Sequence, residues 1–143
     1  MFRFLTSLLL SFFYRRTNFR TQYPSDCNPN SKFELLNVKI IPEPLVVGGN
    51  FQMSIVFQNE YDIIRSGVQR MKILFNEAPI SLPDESLCEH NDRLCPIYLG
   101  VNSVNHTFIT PTIPGKVDMK IGWFSDNNTP LLCVHQVFDI DAR

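Results

Sequence analysis

The feature that most constrains the fold is an alternation of apolar and polar residues with a period of two, which recurs after residue 24. Because successive side chains of a strand point to opposite faces, this alternation predicts strands with one buried face. The apolar members of the clearest stretches are Leu36, Val38 and Ile40; Phe51, Met53, Ile55 and Phe57; Met71, Ile73 and Phe75; Val104, His106 and Phe108; Val117, Met119, Ile121 and Trp123; and Leu132, Val134, Phe138 and Ile140. No stretch after residue 24 sustains a helical period.

Turn signals separate these stretches. Pro42-Glu43-Pro44 ends the first, since proline cannot donate to a sheet ladder, and Gly48-Gly49-Asn50 offers residues that tolerate positive φ. Asp126-Asn127-Asn128-Thr129-Pro130 turns the chain before the last. About seven short strands with one apolar face each predict an all-β sandwich of two antiparallel sheets, running from about Asp26 to Asp141. The 143 residues fit one domain.

The N-terminus is typical of a secretory leader. Residues 4–14 form an apolar stretch after Arg3, within the length of a signal-peptide core, although no A-x-A-like cleavage site follows. An amphipathic helix is the alternative. We therefore predict a leader over residues 1–23 and a folded domain over residues 24–143.

Charge argues against nucleic acid as a partner. The first 20 residues contain no acidic residue and four arginines, Arg3, Arg15, Arg16 and Arg20. All 14 acidic residues of the chain lie from Asp26 onward. The predicted domain is therefore acidic, and its basic residues are scattered. Nucleic-acid binding is dominated by clustered Lys and Arg, which this domain lacks.

The four cysteines allow three pairings. Cys88 and Cys95 flank a short polar loop that their pairing would close, which leaves Cys27 for Cys133 and ties the start of the domain to its last strand. No Cys-x-x-Cys occurs, which argues against a zinc ribbon or a thioredoxin motif. The sequons at Asn105 and Asn127 predict glycosylation. Together with the leader, they predict a disulfide-bonded glycoprotein that is secreted or lies in the lysosomal or endosomal lumen.

Motifs of enzymes are not found. The sequence has no Gly-x-Ser-x-Gly elbow, His-Glu-x-x-His helix, phosphate-binding loop or Gly-x-Gly-x-x-Gly. Its histidines, His90, His106 and His135, show no metal-ligand spacing, and His106 falls on an apolar face, where a lone histidine is usually structural. We predict no enzyme activity, no cofactor and no metal.

The order of elements in the chain resembles the ML lipid-recognition family. Cys95-Pro96-Ile97 is followed by the strand that contains Val104, the turn around Pro111-Thr112-Ile113-Pro114-Gly115, a strand ending in Trp123, and a turn leading to Cys133. A cysteine before the first long strand fits the same order. The resemblance covers about Cys27 to Ile140. The ML family includes sterol carriers of the Niemann–Pick type C kind and phosphatidylglycerol/phosphatidylinositol transfer proteins.

This resemblance implies an immunoglobulin-like β-sandwich whose sheets enclose one lipid, and the pairing Cys27–Cys133 and Cys88–Cys95. It implies a protein that carries a sterol, phospholipid or glycolipid between membranes or to a partner, with transient contact to a membrane surface. A membrane receptor is a further candidate partner. Sterol carriers usually have a third disulfide, which residues 28–87 of this sequence cannot supply. The alternative is an immunoglobulin-like adhesion or receptor-binding module with a filled core.

The residues that line such a cavity are predicted from their place on the apolar faces. We predict lipid contact by nine of them, which are Phe57, Ile73, Phe75, Val104, Phe108, Met119, Ile121, Trp123 and Phe138. Phe124, on the opposite face from Trp123, is expected at the rim of the cavity.

Overall fold

The computed structural model describes residues 25–41, 45–90 and 94–142, so the predicted leader over residues 1–23 lies outside the described residues. Ten strands and one short helix lie in these ranges. They are β1 (Ser25–Asp26), β2 (Phe33–Ile41), β3 (Leu45–Val46), β4 (Asn50–Asn59), β5 (Val68–Phe75), β6 (Ala78–Ile80), β7 (Glu85–Ser86), α1 (Leu87–His90), β8 (Gly100–Ile109), β9 (Gly115–Phe124) and β10 (Pro130–Asp141). No helix in these ranges has the length and apolar character that crossing a bilayer requires.

The strands form two sheets, as the alternation predicts. The larger sheet has the order β1-β10-β9-β5-β6, with β3 also paired to β10 and β7 to β5. The smaller sheet has the order β2-β4-β8. All pairings are antiparallel except the short one between β3 and β10. The protein is therefore a β-sandwich in which β8 is an edge strand of the smaller sheet.

The apolar faces of the central strands meet between the sheets. On β4, β9 and β10 the predicted inward residues are all buried, which confirms the alternation there; they are Phe51, Met53, Ile55, Phe57, Val117, Met119, Ile121, Trp123, Leu132, Val134, Phe138 and Ile140. Met71, Ile73, Phe75 and Phe108 are partly buried and pack against this core. These four residues of β5 and β8 are thus less covered than the inward residues of the central strands, whereas Val104 of β8 is itself buried.

The predicted inward face of β2 is wrong at one position. Leu36 is 44% exposed, whereas Leu35 packs against the core. The register of β2 against β4 shifts between Leu35 and Asn37, which is the mark of a β-bulge. Since one extra residue reverses the faces of a strand, the alternation resumes correctly at Val38 only after the bulge.

Both disulfides have the pairing that the sequence predicts. Cys27 is bonded to Cys133 across 106 positions of sequence, with Cα atoms 5.1 Å apart, and this bond ties the start of the domain to β10. Cys88, in α1, is bonded to Cys95 with a Cα separation of 5.2 Å and closes the short loop. Two of the predicted turns also have the backbone they need, with φ of +75° at Gly48 and +66° at Asn128, whereas Pro42-Glu43-Pro44 lies outside the described residues.

A buried amide organises the loop after β4. Asn59 is fully buried at the end of the strand, and its Nδ2 donates to the backbone carbonyls of Asp62 (2.7 Å) and Tyr98 (3.2 Å). Its Oδ1 accepts hydrogen bonds from the backbone N–H of Tyr61 (3.0 Å) and of Asp62 (3.3 Å). One side chain thereby substitutes for several backbone partners and joins this loop to the segment that leads into β8.

Candidate functional site

Aromatic rings hold the two sheets together on one side of the sandwich. The Phe57 ring stacks on Phe33 at 5.1 Å within the smaller sheet and meets Trp123 of the larger sheet edge-on at 5.2 Å. Phe57 and Trp123 are both fully buried. Edge-to-face contacts at this spacing add to the free energy gained from burial alone. The sheets are therefore closely packed at this point.

The sandwich is open on the side where β5 and β8 face each other. Within the part of the chain that the structure describes, β8 pairs with β4 alone, and β5 pairs with strands of the larger sheet, so β5 and β8 are not paired to each other. Two adjoining cavities lie along this side, and Ile73 and Phe108 line both of them. We refer to the two cavities together as the β5–β8 groove.

The larger cavity of the groove has a mixed lining and a volume of about 350 Å³. Its walls come from β5, from the segment that includes β7, and from β8. The lining residues are Gln69, Met71, Ile73, Leu82, Pro83, Glu85, His106, Thr107 and Phe108. Volumes of this size lie at the lower end of the range seen for small-molecule sites.

The smaller cavity has a volume of about 130 Å³ and a wholly apolar set of side chains. It lies between the sheets and is lined by Phe51, Ile73, Phe75, Ile80, Phe108, Ile109, Pro111, Val117, Met119, Phe138 and Ile140. Phe51 forms its inner wall, stacked on Phe108 at 5.1 Å and in edge contact with Phe138 at 5.4 Å. A space of this composition favours hydrocarbon over water.

A buried hydrogen bond fixes one wall of the larger cavity. The indole Nε1 of Trp123 donates to Oε1 of Gln69 over 3.0 Å, and Gln69 is only 3% exposed. Buried polar groups are costly unless they are paired, so this bond holds the amide of Gln69 in place beside the cavity.

His106 is a second polar side chain in the lining of the larger cavity. Its Nε2 atom is buried and has no hydrogen-bond partner among the described residues. Burial lowers the pKa of His106 below its ordinary value, and the nearby carboxylate of Glu85 acts in the opposite direction more weakly. The imidazole is therefore neutral at neutral pH, and its ring stacks on Phe108 at 5.7 Å.

Five of the nine predicted lipid-contact residues line the groove, namely Ile73, Phe75, Phe108, Met119 and Phe138. Val104, Ile121, Phe57 and Trp123 are buried in the core instead, outside the lining of these two cavities. Phe124 does not line them either, and the Arg70 guanidinium lies over its ring at 4.6 Å from the centroid. Lipid contact by any of these residues stays a prediction.

The polar lining was not predicted from the sequence. Gln69 lies on the same face of β5 as Met71 and Ile73, so the alternation places it inward, but its amide gives no sign of a cavity. Leu82 and Pro83 lie in the irregular stretch before β7, and Glu85 is in β7, a strand of two residues that is too short to carry a clear periodic signal. Among the residues that the structure describes, no cluster of three or more His, Cys, Asp or Glu has the arrangement of metal ligands.

Comparison with known families gives one match that spans most of the chain. The model of the ML domain matches residues 24–140. The chain belongs to the ML-domain family. Members of this family are lipid-binding proteins. No curated protein sequence matches the chain significantly.

A solved structure supports the fold of this ML domain. The chain is similar to a Niemann-Pick type C2 protein from the Japanese carpenter ant, with a TM-score of 0.58 and 14% sequence identity. The similarity covers 82% of this chain and 98% of the ant protein. At this identity, the likeness shows a shared β-sandwich fold and nothing about individual residues.

Proposed function

We propose that the protein binds a single lipid molecule in the β5–β8 groove and carries it between membranes or to a partner. The observation that carries this proposal is the open side of the sandwich, where adjoining cavities of about 350 Å³ and 130 Å³ lie between the sheets. A sterol, a phospholipid or a glycolipid is the class of ligand that such a space would take. The protein acts by binding alone and performs no catalysis.

Apolar burial supplies the free energy of binding. Covering about 500 Å² of hydrocarbon contributes on the order of 12 kcal/mol at about 25 cal/mol/Å². Immobilising the lipid and ordering the side chains around it offset much of that gain.

Exposed apolar residues at the rim of the smaller cavity support contact with a membrane. Ile80 and Ile109 line this cavity and are also exposed, Ile109 to 83%. Ile113, in the turn after β8, is exposed as well. Apolar side chains grouped at the mouth of a cavity are typical of interaction surfaces. We propose that this rim touches the bilayer while the lipid is transferred.

Secretion, or residence in the lysosomal or endosomal lumen, is proposed with this function. The two disulfides require an oxidising compartment to form. Asn105 is exposed on β8, and Asn127 lies in an exposed turn where its Oδ1 accepts a hydrogen bond from the Thr129 hydroxyl at 2.9 Å. Both sequons are thus accessible to glycosylation. A membrane receptor stays a candidate partner.

Lipids extracted from the purified protein test the proposal. Mass spectrometry of the extract should detect a lipid bound in about equimolar amount, and the stripped protein should take up fluorescent sterol or fluorescent phospholipid. An extract without lipid, together with no uptake of either probe, would instead support an immunoglobulin-like adhesion or receptor-binding module with a filled core.

A further inference from the structure

The two ends of the β5–β8 groove differ in polarity. The larger cavity contains Gln69, Glu85 and His106, whereas every residue that lines the smaller cavity is apolar. Because Ile73 and Phe108 line both, the two cavities are neighbours, and the groove changes from a polar end to an apolar end across these two side chains. This gradient matches an amphipathic ligand that lies lengthwise in the groove.

From this gradient we propose that the ligand is a lipid with a compact, uncharged, hydrogen-bonding head group, bound with that head at His106 and with part of its hydrocarbon in the smaller cavity. The inference rests on the proposed lipid-binding function. It adds the orientation of the ligand, the side chain that recognises its head group and the charge that the head group must have.

The first argument for this orientation is the unpaired imidazole nitrogen. Nε2 of His106 is buried without a hydrogen-bond partner among the described residues, although buried polar atoms in folded proteins are nearly always paired. His106 lines the larger cavity, but Nε2 has no accessible surface there, so a hydroxyl or carbonyl group of the ligand would become its partner after a small rotation of the ring. A hydrocarbon chain at this end would leave the nitrogen unpaired, while at the other end the chain meets no polar side chain.

The second argument is the charge of the lining. Glu85 is the one formally charged residue among those that line the larger cavity, and no Lys or Arg lines either cavity. Burial lowers the pKa of His106, so its ring is neutral at neutral pH and does not compensate a negative head group. A carboxylate or phosphate placed here would therefore face Glu85 without a basic partner.

Three probes with related chains separate these contributions. Monooleoylglycerol has an uncharged head, oleate has a carboxylate, and octadecene has no head group. Binding of each to the stripped full-length protein is measured by titration at neutral pH and by native mass spectrometry. We expect monooleoylglycerol to bind about tenfold more tightly than oleate and about three- to tenfold more tightly than octadecene, as one well-placed hydrogen bond permits.

Variants then identify the side chain responsible. His106→Leu should abolish the preference of the protein for monooleoylglycerol over octadecene, so that the ratio of the two affinities falls to about one. His106→Gln keeps a neutral hydrogen-bonding group and should retain part of this preference. Glu85→Gln should increase the affinity for oleate. His135→Leu is the matched control, because His135 bonds to Asp118 at 2.8 Å and lies outside the lining of both cavities.

The outcomes distinguish this inference from the function on which it rests. If none of the probes and no other lipid binds, the proposed function itself fails. If all probes bind with equal affinity, or oleate binds most tightly, the protein binds lipid but the head-group assignment is wrong. If His106→Leu does not fold, the probe series with the wild-type protein and Glu85→Gln still decides the outcome.

Discussion

Filling the groove at Ile73 should weaken lipid binding. Ile73 lines both cavities and is partly buried, so the larger indole ring of Ile73→Trp would project into space that the lipid is proposed to occupy. Because unfilled volume is already present there, the substitution is expected to cost less stability than the 1–3 kcal/mol or so typical of overpacking a well-filled core.

The size of the effect follows from the volume of the smaller cavity. A cavity of about 130 Å³ holds about four methylene-sized groups if each takes about 30 Å³, the share of one water molecule. Each buried methylene contributes about 0.8 kcal/mol, so complete filling would remove about 3 kcal/mol of binding free energy. That corresponds to roughly a hundredfold loss of affinity, and incomplete filling by the indole to roughly tenfold.

The assay is equilibrium titration of stripped protein with a fluorescent lipid, with near-UV circular dichroism to verify that the variant is folded. The matched control is Leu74→Trp, because Leu74 is the next residue of β5, is 39% exposed and lines neither cavity. Only Ile73→Trp should lose affinity. A folded Ile73→Trp protein that binds as tightly as the Leu74→Trp protein would refute a lipid site between the sheets.

Other predictions concern stability. Replacing Cys27 and Cys133 together by Ala should lower the free energy of unfolding, measured by urea denaturation, by about 4–5 kcal/mol, because the bond closes a long loop; a loss below about 1 kcal/mol would contradict this. Asn59→Ala should cost about 2–4 kcal/mol in the same assay, since it leaves several buried backbone groups unpaired; an unchanged urea midpoint would show that the loop does not depend on the amide. Burial lowers the pKa of His106 in the folded state, so the unfolded chain takes up the proton first as pH falls. The contribution of the neutral His106 to stability is therefore complete above pH 6.5 and is lost as pH falls from 6.5 toward the folded-state pKa. The groups that face His106 around the cavity are Glu85, which is the one charged neighbour there, and the uncharged side chains of β4 and β5. His106→Gln should therefore show a shallower fall in melting temperature between neutral and mildly acidic pH than the wild-type protein, and identical pH profiles would contradict the assignment.

Local alternation was sufficient to predict the central strands. From Phe51 to Asn59 on β4 and from Val117 to Trp123 on β9, every second residue is buried, because both strands are paired on two sides and each presents one face to the core. The prediction failed where the pattern itself is interrupted, at the bulge near Leu36, because a register shift depends on how β2 and β4 pair and not on the sequence of β2 alone.

The β5–β8 groove could not be predicted from the alternation of apolar and polar residues. Phe57 and Phe108 have equivalent positions in their alternating stretches, yet Phe57 lies in the packed core and Phe108 lines the groove. The difference depends on which strand is an edge of its sheet and on where the two sheets separate, both of which are properties of the whole sandwich. The polar lining depends further on the short strand β7, which contains Glu85 and pairs with β5.

The central claim, a lipid held between the sheets along β5 and β8, is tested most directly by photo-crosslinking. The stripped protein would be loaded with a lipid that carries a diazirine in its hydrocarbon chain, irradiated, and its adducts located by peptide mass spectrometry. The adducts should fall on residues of the smaller cavity, among them Ile73, Phe108 and Met119. Adducts confined to exposed apolar residues outside the groove, such as Leu74 and Val101, would contradict the claim.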